Sequence, residues 1–173
     1  MNILALDIGI KTGYAIWTTL GQTIHNTSTR LSGVKKFEFK RGDSPDIRFL
    51  MFRAWLKRMV RTYGIRFIIY EKPFLRGGAA SDFLKGFMLI IRMIAVEFDI
   101  PYKGLMGTSL KKYATGSGKA SKEEMVLTAK QRYGKVKDDN QADALHLLAY
   151  ARENFDDNTA PSEDKGVPEE TPS

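Results

Sequence analysis

Short apolar runs alternate along this chain with longer stretches of helical spacing. Ile3, Leu4, Ala5 and Leu6 run without interruption to Asp7, a turn-rich link follows from Ile8 to Gly13, and Tyr14 to Trp17 is apolar again. Two such runs joined through glycines predict a β-hairpin whose first strand lies deep in a sheet. Ser32 to Lys40 sets Val34, Phe37 and Phe39 among polar residues, as an edge strand of the same meander does. From Asp46 to Tyr63 the spacing of Ile47, Leu50, Met51, Ala54, Trp55 and Met59 predicts a helix closed by Gly64. Ile65 to Tyr70 reads as a buried strand parallel to the first, because a helix separates it from the hairpin. A second helix is expected from Asp82 to Phe98, capped by Ser81 or Asp82, with Leu84, Met88, Ala95 and Val96 widening its apolar side beyond one stripe. Tyr102 to Met106 is a short strand candidate, and Thr108 to Lys122 reads as flexible backbone rich in lysine, glycine, serine and threonine. Ser121 with Glu124 resembles a capping box that opens a helix to Tyr133. The last helix is expected over Asp138 to Tyr150.

Chemistry enters where the strands end. The first strand terminates in Asp7 and the later core strand in Glu71. A carboxylate at the end of a buried strand is costly unless it meets a cation, a metal or several donors. Alone, Asp7 reads equally well as a surface residue opening a turn. If the two strands are parallel neighbours, both acids emerge at the same end of the sheet, and the pair suggests a cation between them. On the last helix Asp139 and Asp143 share a face, with Asn140 close to it. Capping of the helix by Asp138 or Asp139 is the structural alternative. Asp143 sits among alanines, with no basic residue one turn away.

Composition narrows the class. The 173 residues suit one domain, and no apolar run reaches the roughly 18 residues of a membrane span. The N-terminus lacks the pattern of a secretory signal, so a cytoplasmic location is expected. With no cysteine, a metal would need oxygen or imidazole ligands. The net charge of +7 is uneven: residues 155–173 carry six acids against Lys165, a net −5, which leaves +12 on the body. The expected organisation is therefore a folded domain over 1–154 and an acidic, disordered tail over 155–173. A body of that charge favours polyanions, nucleic acid first. The segment Thr108 to Lys122 is not a phosphate-binding P-loop, because the GxxxxGK[ST] spacing is absent.

Four pieces in order, ALDIGIKTGYAI, IIYEKPF, LKKYATGSGKASKEEM and DDNQADALHLLAYA, resemble the RuvC-type Holliday junction resolvases and their phage relatives, within the RNase H-like nucleases. The resemblance spans roughly residues 3–151. It implies an α/β RNase H-like fold: a central mixed sheet, an antiparallel meander plus parallel strands, flanked by helices. It further implies an endonuclease that resolves four-way DNA junctions by paired symmetric nicks as a homodimer. Neither a membrane nor a small-molecule cofactor is implied. Asp7, Glu71 and Asp143 would be the catalytic metal-binding carboxylates, with two Mg²⁺ per site and Mn²⁺ able to substitute. Phe74 would wedge into the junction. Lys111 and Lys122 would contact the region of the scissile phosphate, and Lys119 lies in the same basic segment as a further DNA contact. The helix Asp82 to Phe98 would form the dimer. The chain departs from the family at Asn140, where an Asp or His is usual, so that either Asn140 as a weaker oxygen ligand or Asp139 as a carboxylate completes the site. Rival readings are a nuclease of the same fold acting on forks or flaps, a junction-binding protein with weakened catalysis, and an actin-like ATPase or sugar kinase. The last needs a second phosphate loop and more chain than is present.

Overall fold

The computed structural model describes residues 1–19, 29–74 and 77–155. The elements in chain order are β1 (Ile3–Asp7), β2 (Lys11–Thr18), β3 (Thr29–Lys36), α1 (Ile47–Tyr63), β4 (Phe67–Lys72), α2 (Gly78–Glu97), β5 (Tyr102–Met106), α3 (Gly107–Thr115), α4 (Lys122–Tyr133) and α5 (Asp139–Asn154). The five strands form one sheet in the order β3-β2-β1-β4-β5. The β1–β2–β3 meander is antiparallel, while β4 and β5 join β1 as parallel strands. This is the mixed sheet expected from the resemblance.

Alternation along the strands sends their side chains to two cores. Leu4, Leu6, Ile68 and Tyr70 face a layer built from α1 and α2, where Phe37, Phe52, Trp55 and Phe87 interlock edge-to-face and stacked. Ile3, Ala5, Phe67 and Ile69 face the opposite layer, formed by α3, α4 and the alanine-rich side of α5. Small residues such as Ala142, Ala144 and Ala151, all fully buried, let α5 lie close over the centre of the sheet.

Several element bounds differ from expectation for identifiable reasons. β3 ends at Lys36, and Phe37 turns inward as a fully buried core residue whose N–H donates to Ile10 O at 2.9 Å. α2 begins a turn early, at Gly78, and the Ser81 hydroxyl donates to Gly77 O at 3.0 Å from within the helix instead of capping it. Residues 108–115 of the segment expected as flexible backbone are helical, in a helix that starts at Gly107: Leu110 and Ala114, four apart, bury one side of α3, and Gly116 closes it at φ 84°. The capping box at Ser121 and Glu124 is present. Phe155, expected in the tail, packs on Phe67 and Tyr150, and the rest of the tail lies outside the described residues. Among the described residues no helix is long and apolar enough to cross a membrane.

Candidate active site

Strand register and period bring the first two carboxylates together. β1 and β4 are parallel with Leu6 opposite Tyr70, which places Asp7 and Glu71 at the same level on adjacent strands, about 5 Å apart in backbone spacing. Positions 3, 5 and 7 share a face with 67, 69 and 71, so both acids point to the α5 side, one residue beyond the buried apolar run. Behind Asp7 the turn is fixed by Thr12, fully buried, whose hydroxyl donates to Gly9 O at 2.6 Å and accepts from Gly9 N–H at 3.3 Å.

Two glycines make room for the rest. Gly13 pairs with Asp7 across the hairpin, and a Cβ on it would stand 1.9 Å from the Asn140 carbonyl oxygen. Only glycine lets the first turn of α5 rest on β2 this closely. That contact brings Asp143, one turn on, over the strand ends. A Cβ on Gly107 would stand 2.5 Å from Glu71 Oε1, so the start of α3 leaves the space the Glu71 carboxylate occupies. The start of α5 is held on three sides. The Asp138 side chain caps it, accepting from Gln141 N–H at 3.0 Å; buried Gln141 accepts from Lys137 N–H at 2.8 Å and donates to Ser32 Oγ at 2.9 Å. Capping by Asp138 leaves Asp139 and Asp143 for other work.

The proximity of the acids perturbs their ionisation. Burial, then the charges of Glu71, Asp143 and Asp139, push the Asp7 carboxyl well above its ordinary range. Burial, then Glu71 and Asp139, raises Asp143 to about 7. Glu71 is raised by burial and partly held down by Lys111. Asp139 behaves oppositely: Lys122 Nζ donates to its Oδ2 at 2.6 Å and lowers it, while Lys122 is raised in turn. Thus Lys122, expected at a phosphate, is ion-paired here, and Asp139 is the most strongly satisfied of the four acids. Asn140 lies between two acceptors, and with its nitrogen toward them it donates to Asp7 Oδ2 and Lys11 O, each at 3.2 Å. Turned the other way, its nitrogen donates to Asp139 Oδ1 at 3.3 Å and its oxygen faces Asp7, the orientation an oxygen ligand needs. Phe74 stands 76% exposed just past β4, and Lys119 is exposed in the turn before α4.

A divalent cation fits this donor set. Asp143 Oδ1 is buried without a hydrogen-bond partner, and three carboxylates with raised pKa values sit together, a combination that a hard cation relieves. Among the described residues no three carboxylate or imidazole side chains surround one point as they stand.

No protein-family model matches the chain, and no curated protein matches it in sequence. Solved structures do. RuvC from Thermus thermophilus is similar at a TM-score of 0.67 and 19% identity, over 92% of this chain and 98% of that one. The fold is that of RuvC. The T. thermophilus RuvC complex with Holliday junction substrate gives a TM-score of 0.69 at 19% identity, over 88% of this chain and 96% of that one. The yeast mitochondrial Holliday junction resolvase Ydc2 gives 0.55 at 15% identity, over 87% of this chain and 83% of that one. Within the RuvC fold the carboxylates occupy the C-terminal edge of the parallel strands, where α/β sheets place their sites.

The glycines and Gln141 escaped sequence reasoning. Gly13 was readable only as part of a turn, although a glycine inside a strand also signals close backbone approach. Gln141 and Gly107 leave no local pattern.

Proposed function

We propose that the protein is a metal-dependent, structure-specific endonuclease that resolves four-way DNA junctions by symmetric nicks as a homodimer. The observation that carries this reading is the gathering of Asp7, Glu71 and Asp143, from two parallel strands and a helix, at one edge of a RuvC fold. Asp7, Glu71 and Asp143 would hold Mg²⁺ or Mn²⁺, which when bound supplies an activated water and charge stabilisation for the departing oxygen. Glu71 has Lys111 near it, and this lysine would offset charge developing on a phosphate. Lys122 is within reach of the same region once it exchanges Asp139 for a phosphate oxygen. Phe74, just past β4 and exposed, would enter a junction beside the cleavage point. On α2, Leu89 at 58%, Met93 at 51% and Val96 at 67% exposure form an apolar stripe that suits a second copy of the chain.

One observation favours a second reading, a junction-binding protein with weakened catalysis: the neutral amide of Asn140 stands beside Asp7 where the family usually has an Asp or His. A single experiment separates the two. Synthetic four-way junctions, forks and flaps are incubated with and without Mg²⁺ or Mn²⁺ and nick positions are mapped. The nuclease reading predicts paired symmetric nicks in the junction that need the cation, abolished by Asp7→Asn or Glu71→Gln with binding retained. Phe74→Ala keeps affinity and lowers cleavage. Binding with no nicks in either cation supports the second reading, and preference for forks or flaps redirects the substrate.

A further inference from the structure

Two groups among the basic side chains of the body have different fates. On α1 Arg48, Arg53, Lys57 and Arg61 are used internally, while Arg58 is exposed. Arg48 donates to Phe37 O at 3.0 Å and lies over Phe39 at 4.4 Å. Arg53 and Lys57 both pair with Glu97 of α2, and Arg61 lies over Phe98 at 5.4 Å. These contacts clamp α1 to α2. On the opposite layer the lysines around α4 are differently placed. One groove runs beside α4 from Lys122 and Asp139, at the edge of the carboxylates, to Lys130. A second, of about 790 Å³, continues from Lys130 to Lys135 and Lys137 and reaches Gln141. Lys130, Lys135 and Lys137 are exposed, and among the described residues no carboxylate pairs with them. Glu123 is the acid on the rim of the first groove.

The backbone under these lysines is fixed. Gly134 closes α4 at φ 86°, Val136 is buried, and Lys137 N–H is held by Gln141, the same side chain that ties α5 to β3. The lysines thus project from a segment anchored to the helix that carries Asp143. Lys137 stands two residues before Asp139 and Lys130 lines both grooves, so these ammonium groups lie along the α4–α5 edge next to the carboxylates, where they can neutralise the phosphates of a bound strand.

We infer that the groove formed by Lys130, Lys135 and Lys137 is the track for the DNA backbone beyond the cleavage point, and that Arg48, Arg53, Lys57 and Arg61 of α1 are structural. This rests on the DNA-binding reading above and adds to it the face over which the strand leaves.

The test compares equilibrium binding of a four-way junction in EDTA across salt concentrations. Combining Lys130→Ser, Lys135→Ser and Lys137→Ser should reduce the slope of log affinity against log salt by about 2 to 3, near 0.9 for each phosphate no longer neutralised. The corresponding triple arginine variant should restore the slope, and Arg53→Ser with Lys57→Ser should leave it unchanged. A wild-type slope in the triple serine variant overturns the track while leaving the nuclease reading intact. A reduced slope confined to the α1 variant also overturns it. Absence of junction binding by the wild-type protein overturns both.

Discussion

At the scale of single residues, the site is a balance between carboxylate repulsion and the groups that relieve it. Without a cation, Asp143 retains its proton up to about pH 7, whereas in the unfolded chain it loses it near 4. The folded state therefore binds the extra proton in that window, and the contribution of Asp143 to stability falls as pH rises through it. The metal-free melting temperature of wild type relative to Asp143→Asn should accordingly fall between pH 5 and pH 8, and saturating Mg²⁺ should raise it more at pH 8 than at pH 5. Taking the difference between the two proteins cancels the opposing effect of His146, whose fully buried, hydrogen-bonded ring is held below its ordinary pKa by burial and favours higher pH. A flat difference would show that Asp143 ionises normally. The two glycines give sharper tests. Gly107→Ala crowds Glu71 Oε1 and should weaken Mg²⁺ affinity about tenfold, as displaced support of a ligand does, while junction binding in EDTA stays unchanged. Gly13→Ala meets main chain instead of a flexible side chain and should cost about 3 kcal/mol in denaturant unfolding.

At the scale of elements, the strand-end acids were readable and the parts that aim them were not. Period-two alternation puts Asp7 and Glu71 on one face as soon as β1 and β4 are recognised, and the alanines of α5 mark Asp143 as facing inward. α3 escaped because its buried side holds only Leu110 and Ala114 among lysines, with glycine at either end. A glycine in a turn and a glycine at a close packing contact look alike in sequence, which hid Gly13. Asn140 shows a further limit: a side chain with both donor and acceptor has its role set by the neighbours, here Asp7 and Lys11, which only the fold assembles. β4 also carries an element-level prediction. The Tyr70 hydroxyl is buried without a hydrogen-bond partner in the α1–α2 core, one residue before Glu71. Tyr70→Phe should leave stability unchanged or raise it by about 1 kcal/mol, measured by chemical denaturation. A loss of stability would reveal a bound water or partner at that oxygen.

At the scale of the whole molecule, the two layers divide the work. The α1–α2 layer uses Arg48, Arg53, Lys57 and Arg61 in ion pairs, hydrogen bonds and cation–π contacts and exposes an apolar stripe along α2; the face of the sheet under α3–α5 carries the acids and the lysine groove. If that stripe is the dimer face, Met93→Glu with Val96→Glu should yield a monomer in sedimentation and convert paired nicks into single ones; an unchanged mass in a protein that sediments as a dimer would place the interface elsewhere. The account as a whole depends on Asp7, Glu71 and Asp143 acting together on divalent ions. Calorimetric titration of Mn²⁺ into the metal-free protein tests this most directly. Saturable binding in the wild type, abolished in Asp143→Asn and in Asp7→Asn, is the predicted result; equal binding in all three proteins, or none in the wild type, would contradict it.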